Sequence, residues 1–153
     1  MLESLGLLTG HLLGDYVLQT DWQAANKSNP HPGRRPGCVL LTGHHIPSPL
    51  DDKWQEASRL WRTGHVACTI HCLLYTLAVW VCSYWWMPAW GLAVCFFAHW
   101  AIDRFRLAGW WMRHVAGQKY FASPDHPMFP MSIVLVDNAF HVLTLFLIGL
   151  TAL

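Results

Sequence analysis

The chain has 153 residues, enough for about one domain, and 54% of them are apolar while only 12% are charged. A soluble domain carries roughly 25% charged residues, so the composition excludes an ordinary soluble protein and points to one embedded in lipid. A formal net charge of +1 says nothing about nucleic acid; its distribution along the chain is the informative part. No nucleic-acid motif, phosphate-binding glycine loop or Ser-His-Asp order is present.

A spanning helix needs roughly 20 mostly apolar residues, and four segments qualify. The first, residues 2–22, contains His11 and Asp15. It lacks the basic leader and small-residue cleavage site of a signal peptide. A polar insertion, 26–62, follows. Its early part, 29–37, is a proline/glycine loop. Its later part, from Ser48 through Asp51 and Asp52, reads as the start of a short amphipathic helix ending near Trp61. The second span, 63–84, contains His71, and a short turn from Tyr84 to Pro88 leads to the third, 88–107, with Pro88 suited to a first helical turn. That span holds His99 and Asp103. A second long connection, 108–130, carries Pro124, Pro127 and Pro130, and the fourth span, 131–153, holds Asp137 and His141. The expected fold is therefore an all-α, four-span transmembrane helix bundle forming a single domain.

With four spans, both long connections fall on one side of the membrane and both termini on the other. All ten Lys and Arg residues lie on or next to the long-connection side. Basic residues near spans prefer the cytoplasm, which places the long connections inside and the termini outside. Trp85, Trp86 and Trp90 then belong to an outer aromatic belt, and Trp22, Trp61, Trp110 and Trp111 to an inner one.

Residues at i and i+4 share a helix face. His11/Asp15 and His99/Asp103 run in one order and Asp137/His141 in the other, as the fourth span runs opposite to the first and third. The expected result is a layer of histidines and, about 6 Å nearer the cytoplasm, a layer of aspartates. His71 joins the histidine layer. Gln19 and Asn138 add amides beside it. His65 points roughly 120° away from His71 and is a weaker ligand. His31, His44, His45, His114 and His126 lie in polar connections. Of the five cysteines, Cys68 and Cys72 flank His71; the odd total gives no disulfide framework, helix contacts are their simplest role, and a softer metal site with His71 is the alternative.

One His/Asp pair is most simply read as interhelical hydrogen bonding. Three pairs are another matter, because each Asp at mid-membrane costs ~2.5–3.5 kcal/mol. Neutral imidazole and carboxylate suit divalent Zn, Mn or Fe. The expected ligands are His11, Asp15, His71, His99, Asp103, Asp137 and His141. Two arrangements fit them: one ion with supporting carboxylates, or two ions about 4 Å apart. A bound water then serves as nucleophile, with Asp15 or Asp103 as general base. Lys27, Arg104 and Arg106 are placed to bind an anionic group of a small-molecule or lipid substrate, although the two arginines also suit a snorkelling role at a helix end.

Four motifs carry a resemblance. Gly10-His-Leu-Leu-Gly-Asp-Tyr-Val-Leu-Gln-Thr-Asp21 with Lys27, His71-Cys-Leu-Leu-Tyr-Thr76, His99-Trp-Ala-Ile-Asp-Arg-Phe-Arg-Leu107 and Val136-Asp-Asn-Ala-Phe-His141 resemble, in the same order, those of the membrane-protein family called domain of unknown function 3307. Residues 29–60 match none of its motifs. The resemblance implies a bacterial inner-membrane or phage protein and brings no activity with it. The family is similar in style to small membrane proteins described as metal-dependent hydrolases, an analogy only.

The leading expectation is metal-dependent hydrolysis of a phosphoester or amide at the cytoplasmic face. Two rivals use the same residues. One is a divalent-metal or proton-linked transporter or sensor, since buried His and Asp also line ion paths. The other is a membrane protein acting through protein partners or self-association, with a structural His/Asp core.

Overall fold

Among the described residues of this computed structural model, 2–28, 50–83 and 86–152 by backbone and 5–28, 59–83 and 86–151 by side chain, every regular element is helical. α1 is Leu2–Leu12, followed by one π turn at Leu13–Val17; α2 is Asp21–Asn26, α3 Leu50–Cys82, α4 Ala89–Phe105, α5 Leu107–His114 and α6 Met131–Ala152. The loop expected at 29–37 lies outside the described residues, as do Tyr84 and Trp85.

The first apolar segment is not one helix. Its α-helical ladder gives way to the π turn, and Thr20 then starts α2 with a capping box: Thr20 N–H donates to Gln23 Oε1 (2.8 Å) and Gln23 N–H to the Thr20 hydroxyl (3.3 Å). The short helix expected before Trp61 is continuous with the second span. Gly64, at the start of the second span, does not break it, since one glycine is tolerated in a helix. Pro88 caps α4 from just outside its first turn. α4 ends at Arg106, which adopts the left-handed conformation (φ 53°, ψ 46°), turning the chain at once into α5.

α1 packs on α3 and α6, α3 on α4, and α4 on α6, while α2 covers α3 and α5 covers α6. The α1–α3 contact depends on Gly6, Gly10 and Gly14. A Cβ at Gly10 would lie 2.5 Å from Val79 Cα and one at Gly14 2.6 Å from Tyr75 Cδ2; at Gly6 it would collide with the Cys82 carbonyl. Small residues four apart let two helix backbones approach in this way.

The half of the bundle nearer the termini is filled by Leu7, Val79, Met87, Cys95, Leu145 and Ile148. The other half, at the end bearing the long connections, buries His11, His71, His99, Asp103 and His141. The outward faces of all four long elements are apolar: Leu5, Leu8 and Leu12 on α1, Ile70, Leu73 and Leu77 on α3, Val94 and Phe97 on α4, Leu143, Phe146 and Leu150 on α6. Two helices, Arg59–Cys82 and Met131–Thr151, are long and apolar enough to cross a membrane, and protein covers the smaller part of each.

Candidate metal centre

Each long element delivers part of one polar cluster. The π turn presents Asp15, α3 presents His71, and the last two turns of α4 present His99 and Asp103. π turns are rare and frequent at functional sites; this one sits where α1 must hold both Gly14 against Tyr75 and Asp15 against His71.

The distances are short. His71 Nε2 lies 3.1 Å from Asp15 Oδ1, 3.3 Å from Asp103 Oδ2 and 3.0 Å from His99 Nε2. His99 Nε2 lies 3.4 Å from Asp15 Oδ1 and 3.1 Å from Asp103 Oδ2. Each aspartate thus meets both imidazoles. An ion with bonds of about 2.0–2.2 Å holds adjacent ligands roughly 2.8–3.6 Å apart, from octahedral to tetrahedral angles, a range that covers this set.

Hydrogen bonding alone does not satisfy the cluster. One ring nitrogen carries one proton or one lone pair, so it makes one good bond. His71 Nε2 faces two carboxylate oxygens, a second imidazole nitrogen and, at 3.4 Å, the Lys27 ammonium. Whichever atom takes the proton, lone pairs are left facing one another in a buried site. A cation among them removes that repulsion.

Lys27 supplies one positive charge. Sitting just after α2, it reaches in so that Nζ lies 2.8 Å from Asp103 Oδ2. Burial opposes its charge, but the Asp103 carboxylate, with Asp15 and Asp137 behind it, raises its pKa above the ordinary lysine value. With the histidines neutral and all three carboxylates ionised, Asp15, Asp103 and Asp137 against Lys27 leave two negative charges. One divalent ion balances them.

The remaining sequence-predicted residues stand around this set. His11 donates Nε2–H to Asn138 Oδ1 (2.6 Å), which leaves its Nδ1 between the Tyr75 hydroxyl and Asp15 Oδ2, each 3.2 Å away. His141 donates Nδ1–H to the Asp137 carbonyl (2.8 Å), and its ring lies over His99 with centroids 4.1 Å apart. His11 stacks on His141 at 5.9 Å and 19°. The four histidines therefore form one connected layer. Gln19 is half-buried, with its Oε1 buried and without a hydrogen-bond partner among the described residues. Arg104 is buried and donates Nη2–H to the Trp61 carbonyl (3.5 Å), while Arg106 is exposed. His65 packs between Trp61 and Trp100.

Sequence reasoning missed Tyr75. It is buried, contacts His11, and its ring centroid lies 3.8 Å from that of His99. Its spacing of four from His71 was the available signal. Cys72 also reaches the centre. Among the described residues, three groups have ligand atoms within 4.8 Å of one another and could hold a metal ion: Asp15, His71 and His99; Cys72, His99 and Asp103; and Asp103, Asp137 and His141. No protein-family model, curated protein or solved structure matches the chain.

Proposed function

We propose that this protein is a four-span membrane hydrolase holding one resident divalent ion through Asp15 Oδ1, His71 Nε2, His99 Nε2 and Asp103 Oδ2. The observation that carries the reading is the convergence of these atoms at 3.0–3.4 Å, with more polar atoms around each nitrogen than one proton serves. Four protein donors would close a tetrahedral ion, whereas a five- or six-coordinate one keeps a position for water. Mn or Fe fits a catalytic role here better than Zn.

When bound, the ion supplies an acidified water and positive charge for the substrate oxygen. Asp15 Oδ2 would accept a proton from such a water, and His11 Nδ1, 3.2 Å from that oxygen, would receive it in turn. The water oxygen would bond to phosphorus, or add to a carbonyl carbon, before or as the bond to the leaving group breaks, and the leaving group would take up the proton that His11 received. Lys27 stabilises the anionic part of the substrate. Loading the chelated, detergent-purified protein with Mn, Fe or Zn should restore hydrolysis of at least one member of a panel of phosphoesters and amides. Activity that survives complete chelation would sink the mechanism.

The apolar outer faces of α1, α3, α4 and α6 support four spans, because side chains this apolar around a charged interior suit lipid rather than water. The apolar fill beneath the centre favours chemistry over transport. The basic side supports cytoplasmic long connections in a bacterial inner membrane. Kinship with domain of unknown function 3307 belongs to the same proposal and rests on the four motifs. A membrane-impermeant maleimide should label Cys38, in the first long connection, in inverted vesicles and not in intact spheroplasts; Cys38→Ser should lose the label. Labelling from outside would reverse the orientation.

A further inference from the structure

We propose that Asp103, Asp137 and His141 form a second, exchangeable divalent-cation position, which fills together with a phosphate-bearing substrate. The inference rests on the hydrolase reading above and selects phosphoesters over amides within it.

Their ligand atoms lie within 4.8 Å of one another, a span that an ion with bonds of about 2.0–2.2 Å closes with a small adjustment. Asp103 is suited to serve both positions. Its contacts with Lys27, His71 and His99 all fall on Oδ2, so none of them uses Oδ1. A carboxylate shared in this way holds two ions at the roughly 3.5–4 Å separation of two-metal phosphoryl-transfer sites.

His141 is set up as a ligand. Its Nδ1–H donates to the Asp137 carbonyl (2.8 Å), which leaves the neutral ring with a lone pair on Nε2. Metal-bound histidines are held through their other nitrogen in the same way. The ring is 2% exposed, and Nε2 has no hydrogen-bond partner among the described residues. A buried lone pair left unpaired asks for an explanation, and an absent ion is one.

Exposure and charge separate the two positions. The Asp137 side chain is 29% exposed, against 2% for Asp103 and 12% for Asp15. The second position is therefore the more open to water of the two. One divalent ion already balances the three aspartates and Lys27. A second adds two positive charges to a largely dry site, and a phosphate monoester dianion removes them. An amide substrate brings no such charge.

The test is a Mn2+ titration of the full-length detergent-purified protein, with and without inorganic phosphate, read by equilibrium dialysis and electron paramagnetic resonance. The expected result is one tight equivalent alone and a second, at least tenfold weaker, that appears with phosphate and gives a spin-coupled signal. Asp137→Asn and His141→Gln should each abolish the second equivalent and keep the first, which also shows that they fold. A stoichiometry fixed at one with saturating Mn2+ and phosphate, or a second equivalent surviving in both variants, overturns the second position and leaves the resident ion standing. No bound Mn2+ in the parent protein overturns both.

Discussion

Replacing His99 and Asp103 together by alanine should strip the purified protein of its metal, from about one equivalent to less than a tenth of that by mass spectrometry. The two residues supply half of the donor set around the proposed ion, at 3.0–3.4 Å from its other members. Losing a single supporting residue costs roughly 10–100-fold in metal affinity, so losing two donors should exceed 100-fold. The variant also takes from Lys27 its carboxylate at 2.8 Å. A fully buried charge left without its partner destabilises a fold by about 3–5 kcal/mol, and half-buried Lys27 does so by less. A second variant that adds Lys27→Met removes this charge and separates the two effects. It should be as folded as the parent protein and still metal-free. If the parent carries no metal, the cluster is a hydrogen-bonded core and the hydrolase reading goes with it.

The second large effect is expected far from any donor atom. Gly10→Val should lower stability by about 3 kcal/mol, the upper end for overpacking a filled contact, and should release metal as well. A Cβ there would stand 2.5 Å from Val79 Cα, a backbone atom that no rotamer change can move. α1 would have to back away from α3. His11 is the next residue and Asp15 is five residues on, so the displacement pulls Asp15 from His71. Thermal unfolding in detergent, followed with metal content, checks both. A variant with normal metal and a normal unfolding temperature would show that α1 is free to shift without consequence. Gly109→Ala is a suitable control, since the nearest atom to a Cβ there is 3.8 Å away, on the Arg113 side chain.

Much of this centre was readable from spacing. The four-residue interval puts His and Asp on one face, and reversal of their order in the fourth segment matches the reversed direction of α6. That is why His11, His99 and His141 meet in one layer. The roles within the layer were less accessible. His11 is ligand-like in sequence, yet Asn138 and Tyr75 engage its two nitrogens, a consequence of contacts across the bundle. Arg104, next to Asp103, points one residue further round the helix and reaches Trp61 instead. The break in the first segment had a visible signal in Thr20 and Gln23, a capping-box pair overshadowed by the apolar run before it. Gly6, Gly10 and Gly14 likewise announced a close helix contact by their interval, but only packing against Cys82, Val79 and Tyr75 shows which helix they meet.

The π turn sets regularity of the chain against its chemistry. Each residue of an α-helix turns the next by about 100°. Deleting Leu13 would let residues on both sides join in an ordinary α-helical ladder. Tightening the turn to α geometry with no residue removed would instead swing the chain beyond it by up to about that angle relative to His11 and everything before it. A smoother first helix of the same length would thus be one that no longer brings both its glycine stripe and its carboxylate to bear on α3. Mutational drift toward better local helix geometry at this point would be drift away from the centre, and the irregular turn is where such a chain is least free to improve.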